Sequence, residues 1–212
     1  MIKRAIAAGA SAALMGGLVL AAPAAATQEG YIPSDPNPDL TPKCGLNLGL
    51  VLDSSGSIGE TGIANLKTAT NAFVDSLVDT GSKVAVTSFS TSSPGSGGTN
   101  LGPTNLTGAN LATIKASYKD LASDGWTNWQ DGLLKMQDFG YTPDMLVFIT
   151  DGNPNTVNPP GSGNNAAPDG SPAAVNPAIT IANAFKGAST KMFGIAVGSS
   201  INLTPIQAVA NT

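Results

Sequence analysis

Histidine is absent from all 212 residues, and arginine occurs once, at Arg4. The first absence excludes imidazole-based metal sites and a Ser-His-Asp catalytic triad. The second removes the bidentate grip on phosphate, in a chain that is already acidic with a formal charge of −4. Nucleic acid is therefore not an expected partner. Cysteine is equally scarce: Cys44 stands alone. It is either a lone buried thiol or half of a bridge whose other half lies elsewhere. No Gly-x-x-x-x-Gly-Lys loop is present, which excludes a Walker-type nucleotide site. Apart from the N-terminal residues, no apolar run is long enough to span a membrane.

Those N-terminal residues read as an export signal. Lys3 and Arg4 precede an apolar Ala/Gly/Leu-rich run over residues 5–22, and Ala24-Ala25-Ala26 supplies a small-residue cleavage site. Residues 1–26 are thus expected to be a signal peptide, with Thr27 as the mature start. Their removal takes away two cations and no acids, and it leaves a mature chain without arginine. The expected location is secreted or at the cell surface, with no transmembrane segment after cleavage. Residues 27–44 carry Pro33, Pro36, Pro38 and Pro42 among polar residues and read as an extended linker.

From residue 45 onward the pattern alternates. Apolar runs at 46–52 and 145–149 mark strands buried on both faces. Residues 83–89 and 192–197 read as further strands, with room for a short edge strand near 99–103. Helical spacing appears over 60–78, 110–121, 128–139, 177–185 and 203–210. Residues 152–176, dense in Pro, Gly and Asn, read as a long loop. The expected fold is α/β: a doubly wound, mostly parallel sheet flanked by helices on both faces, with one short antiparallel edge strand.

Such sheets bind ligands at the carboxyl ends of their strands. Two of the most apolar strands end in aspartates there, Asp53 and Asp151. Two close carboxylates repel unless a cation lies between them. Ser55 and Ser57, in Asp53-Ser54-Ser55-Gly56-Ser57, can add neutral oxygens, and Thr127 can add a third from the start of the helix near Asn128. This is a set of hard oxygen ligands suited to a small divalent cation. Read alone, Asp53-Ser54-Ser55-Gly56-Ser57 is equally a polar turn and helix cap. Asp131, in the first turn of the following helix, reads as a macrodipole and solubility residue. Of Trp126 and Trp129, one is expected in the core and the other on an exposed wall.

The pattern Asp53-x-Ser55-x-Ser57, Thr127 in Gly125-Trp126-Thr127-Asn128 and Asp151 in Thr150-Asp151-Gly152 resembles the metal-ion-dependent adhesion site of a von Willebrand factor type A (vWA) domain. The resemblance covers residues 45–212. It implies a Rossmann-like fold and metal coordination by the hydroxyls of Ser55, Ser57 and Thr127. It also implies that Asp53 and Asp151 hold the ion directly or through water. The metal would be Mg²⁺, with Mn²⁺ or Ca²⁺ as alternatives. An open coordination position would take an Asp or Glu carboxylate of a protein or extracellular-matrix ligand. The implied function is cation-dependent adhesion rather than catalysis, so the chain is not expected to be an enzyme. The competing functions are a structural scaffold domain of a pilus or wall-bound protein and, less favoured, a metal-dependent hydrolase. Some extracellular vWA domains close a disulfide between the segment before the first strand and the segment after the last helix. The resemblance places Cys44 at the first of these positions, so a disulfide partner is expected beyond Thr212, where the last helix of such domains is completed.

Overall fold

The computed structural model describes residues 30–40, 42–158, 167–198 and 201–211. The expected signal peptide lies outside the described residues. At the centre of the fold stands the first apolar run, β1 (Asn47–Asp53), buried from its second residue onward. It pairs in parallel with β2 (Lys83–Phe89) on one side and β4 (Met145–Thr150) on the other. Beyond β4 lies β5 (Lys191–Ala196), also parallel. Beyond β2 lies the antiparallel β3 (Leu101–Asn105), giving the order β3-β2-β1-β4-β5. Pro103 lacks an N–H to give to a ladder and is tolerated because β3 is an edge strand.

Alternation along β1 separates two cores. Leu48, Leu50 and Leu52 face α1 (Gly59–Ser76) and α2 (Leu111–Ala116), where they meet Ile63, Leu66 and Ile114. Val51 faces α3 (Trp129–Asp138), α4 (Pro172–Gly187) and α5 (Leu203–Ala210), where Trp129, Phe148, Ile179 and Val209 are buried. Helices on both faces of a mostly parallel sheet are the architecture expected from the alternation. The α1 side is incompletely covered over β4 and β5, where Phe193 and Ile195 are exposed beside an apolar groove.

Two helices differ from expectation. The helix expected over 110–121 stops at Ala116. There the Ser117 hydroxyl bonds back to the Ile114 carbonyl (2.7 Å), and the Ser117 carbonyl accepts from the Thr99 N–H (2.9 Å) instead of continuing the helix. The last helix before β5 begins at Pro172, not Pro177, so the loop after β4 ends at Ser171. Pro172 occupies the first turn, where a missing N–H costs nothing, and Pro177 is tolerated inside. Cys44 is exposed, which removes the buried-thiol alternative.

Residues 31–40 of the proline-rich segment form no helix or strand and lie against the domain. Tyr31 is buried. Asn176 and Asn183 of α4 each accept a backbone N–H of the segment, from Ile32 (3.0 Å) and Asp35 (2.8 Å). Each amide also donates to a segment carbonyl, of Gly30 and Pro33 respectively. Lys186, buried on α4, donates to Ser34 Oγ and the Val209 carbonyl, both at 2.7 Å. Burial holds its ammonium down, to about 8.

α3 approaches β2 so closely that a Cβ on Gly132 would lie 2.7 Å from Phe89 Cδ1 and 3.0 Å from its Cγ. Phe89 has no room to yield, being fully buried and stacked on Phe148 at 5.6 Å. Helix propensity alone would make Gly132→Ala stabilising by ~1 kcal/mol. Overpacking of ~1–3 kcal/mol outweighs that. The expected result is a lower urea midpoint with an unchanged m-value.

Candidate metal centre

Because β1 and β4 are parallel neighbours with Leu52 opposite Ile149, Asp53 and Asp151 leave the sheet at the same carboxyl edge. Asp53 is fully buried. Its Oδ1 accepts the Ser55 N–H at 2.7 Å and its Oδ2 accepts the Thr150 hydroxyl at 2.5 Å. The chain then turns through a short 3-10 segment (Gly56–Ile58) into α1. This turn sets Ser55 Oγ 3.2 Å from Ser57 Oγ, and Ser57 Oγ donates to Asp151 Oδ1 at 2.8 Å. Asp53, Ser55, Ser57 and Asp151 thus form one connected string.

Thr127 arrives on a third loop. Gly56 N–H donates to the Gly125 carbonyl (3.0 Å), and Asp124 N–H donates to the Ser54 carbonyl (3.0 Å). The Ser123 hydroxyl donates to the Ser55 carbonyl (2.9 Å). These bonds lay residues 123–127 beside the Asp53 turn. The buried Thr127 is gripped by Asn155, which accepts the Thr127 N–H at Oδ1 (2.8 Å) and donates its own N–H to the Thr127 carbonyl (3.0 Å).

The electrostatics of this cluster are unfavourable on their own. Burial pushes the Asp53 carboxyl up to about 6, against the opposing hydrogen bonds from Thr150 and Ser55 and with a smaller upward push from the Asp151 charge. Burial also raises Asp151. The ion pairs among the described residues join Lys43 to Asp144, Lys115 to Asp75, Lys119 to Asp120 and Lys135 to Asp138, so none neutralises the site. No group of three or more His, Cys, Asp or Glu residues suited to a metal occurs among the described residues. A cation at this edge must therefore be held by a mixture of carboxylates and hydroxyls. Two carboxylates and three hydroxyls are hard oxygen donors that fit Mg²⁺ or a similar ion.

Other residues support the loops, among them Thr150, which the sequence pattern does not mark. Thr150 links Asp53 to the core, since its hydroxyl also accepts the Trp129 indole N–H at 3.3 Å. Asp131 is buried rather than a solubility residue. Its Oδ2 accepts the Ser93 N–H (2.6 Å) and its Oδ1 accepts from Asn158 Nδ2 (2.9 Å), which ties two rim loops to α3. Asp131 also sits in the first turn of α3, where a negative charge suits the helix dipole. The two tryptophans divide as expected: Trp129 is fully buried, and Trp126 is 53% exposed between Gly125 and Thr127.

Comparison with known proteins bears on the fold. Among solved structures, the chain is similar to a von Willebrand factor type A protein from Catenulispora acidiphila. The identity is 16% and the TM-score 0.56, over 79% of this chain and 37% of that one. It is similar to the pilus adhesin SpaC from Lactobacillus rhamnosus GG, at 16% identity and TM-score 0.58 over 83% and 28%. It is also similar to proximal thread matrix protein 1 from the mussel byssus, at 17% identity and TM-score 0.55 over 78% and 39%. The chain spans less than half the length of each of these structures, and at such identities the likeness is one of fold. No curated protein matches the sequence. The von Willebrand factor type A domain family model matches residues 47–212, most of the chain and all three loops of the candidate centre, and the protein belongs to that family.

Proposed function

We propose that the carboxyl edge of the sheet binds one divalent cation, Mg²⁺ foremost, and uses it to capture an acidic side chain of a protein ligand outside the cell. The observation that carries this reading is Asp53: a fully buried carboxylate, linked through Ser55 and Ser57 to a second carboxylate, with no cationic side chain paired to either among the described residues. Ser55, Ser57 and Thr127 would hold the ion through hydroxyl oxygens, with Asp53 and Asp151 contributing directly or through water. A serine hydroxyl can offer a lone pair to a metal while still donating its proton, so the Ser57–Asp151 bond is compatible with coordination. When bound, the ion acts as a Lewis acid on an incoming carboxylate. Three of the five groups are neutral, which leaves the ion electropositive toward an outside anion.

Trp126 stands exposed beside Thr127 and offers an apolar wall for the residue next to the captured acid. The rim needs no catalytic base for this role, and the chain has no histidine to supply one. The fold likeness to a pilus adhesin is in keeping with an adhesive or pilus-associated setting.

Calorimetric titration at pH 7.5 tests the reading. Wild-type protein is expected to take up one Mg²⁺ per chain. Thr127→Ala, which removes one hydroxyl while leaving the Asn155 backbone grip, is expected to weaken uptake by at least about tenfold, one coordinating group being worth upward of ~1.4 kcal/mol. Absence of binding by the wild type, or equal binding by Thr127→Ala, would overturn it.

A further inference from the structure

We infer that Tyr31 is a positioning residue for the candidate metal centre: its hydroxyl, acting through Gly170 and the turn at Pro154–Asn155, fixes the loop that holds Thr127. The inference rests on the metal-binding reading above and concerns a residue far from it in sequence.

The path is a run of hydrogen bonds. Tyr31, buried against the domain, donates its hydroxyl to the Gly170 carbonyl. Gly170 in turn donates its N–H to the Pro154 carbonyl at 2.9 Å. The next residue, Asn155, takes the Thr127 N–H on its side chain (2.8 Å) and gives its own N–H to the Thr127 carbonyl (3.0 Å). Its carbonyl accepts the Ala167 N–H at 2.9 Å, a second tie to the segment before α4. Gly170 suits this relay because it adopts φ +63°, and a Cβ there would come within 3.3 Å of Asn153. Residues 151–155 form no helix or strand, so contacts of this kind set their position.

Attachment of the N-terminal segment does not depend on the Tyr31 hydroxyl. Asn176 and Asn183 each bind the segment's backbone twice. Asn37 pairs with both the N–H and the carbonyl of Met192, and Lys186 holds Ser34. Two roles therefore separate along the segment. Gly30, Ile32, Pro33, Ser34, Asp35 and Asn37 hold it to α4 and β5, whereas the Tyr31 hydroxyl reaches the segment that meets the Thr127 loop. Loss of the hydroxyl should loosen the loop while the strap stays docked. Loss of Asn183 should weaken the strap while the loop stays set.

The experiment compares Tyr31→Phe, which keeps the ring, with Asn183→Ala. Each is titrated with Mg²⁺, and amide hydrogen exchange is measured in EDTA. Tyr31→Phe is expected to lower Mg²⁺ affinity about three- to tenfold, the range one net hydrogen bond spans. It should also speed exchange at the Thr127 and Asn155 amides, with a small change in Tm. Asn183→Ala is expected to lower Tm while leaving both readouts at wild-type values. A double mutant of Tyr31→Phe with Asn155→Ala should weaken Mg²⁺ no further than Asn155→Ala alone, since both break the same relay. Unchanged affinity and exchange in Tyr31→Phe would overturn the inference, as would an equal loss of affinity in Asn183→Ala. A wild-type chain that takes up no Mg²⁺ overturns the metal reading alone, and the exchange arm then decides whether Tyr31 sets the loop.

Discussion

Asp53→Asn is expected to make the metal-free protein more stable at pH 7 and to abolish its stabilisation by Mg²⁺. Burial raises the Asp53 carboxyl in the folded protein to about 6, against about 3.9 in an unfolded chain. Between those values the folded state holds a proton that the unfolded state has lost. Stability from this group is therefore present at low pH and is lost as pH rises through 6. A gap of about two units at 1.36 kcal/mol each sets the ionisation cost at ~3 kcal/mol above pH 7. Asparagine carries no charge to desolvate. Its Oδ1 can still accept the Ser55 N–H, and the Thr150 hydroxyl keeps an alternative acceptor in the Gly152 carbonyl at 2.9 Å. The variant should exceed wild type by ~1–3 kcal/mol at pH 7.5 in EDTA, with the difference vanishing near pH 4. Saturating Mg²⁺ should reverse the order, since a ligand at 100 times its Kd adds ~2.7 kcal/mol to a chain that binds it. Thermal melts at four pH values, with Mg²⁺ and with EDTA, read both effects. A metal-free Asp53→Asn less stable than wild type at pH 7.5 would show that the carboxylate is a net stabiliser, and would remove the electrostatic argument for a cation.

The parts of this fold that were legible in the sequence are those governed by local patterns. β2 buries Val84, Ala85, Val86 and Phe89, and the strand spans Lys83–Phe89, the residues that the sequence pattern marks. Asp53 and Asp151 were readable as a pair because each stands at the carboxyl end of a mostly apolar strand, and parallel register then carries them to one edge. The parts that were not legible rest on single polar side chains meeting distant backbone. Asn176 and Asn183 look like any helix-surface amides, yet they bind a segment more than 140 residues away in the chain. Asp131 carries no mark of burial, because its partners Ser93 and Asn158 come from two separate loops. The end of α2 was hidden for the same reason: the Thr99 N–H that claims the Ser117 carbonyl comes from another loop. Thr127 lies between these cases. Its place just before α3 made it readable as an oxygen donor, but the bonds that hold its loop, from Gly56 to Gly125 and from Asn155 to the Thr127 backbone, have no mark in the sequence.

Trp129→Ala is expected to cost ~4 kcal/mol of stability, within the 3–5 kcal/mol range for truncating a buried aromatic side chain. The indole is fully buried, meets Phe148 edge-on at 5.2 Å and 78°, and Phe148 stacks in turn on Phe89. Removing it opens a cavity between α3 and β4, and the fully buried Phe89 and Phe148 have little freedom to collapse into it. A domain of this size has ~5–15 kcal/mol in total, so the variant should unfold at a much lower urea concentration. Trp129→Phe separates packing from hydrogen bonding. It retains most of the ring volume and loses the N–H bond to Thr150 Oγ1, for an expected cost of ~1–2 kcal/mol. Thr150 still donates to Asp53 in that variant, because the indole occupied a lone pair on the hydroxyl and not its proton. Mg²⁺ affinity in Trp129→Phe should therefore stay within about threefold of wild type, less than ~0.7 kcal/mol. A tenfold loss would show that the indole orients Thr150 and, through it, the buried carboxylate. Asp53→Asn and Trp129→Phe touch opposite ends of one hydrogen-bonded chain and are expected to move stability in opposite directions. Measured together, they distinguish a site that costs the fold stability until a cation arrives from one that the core merely tolerates.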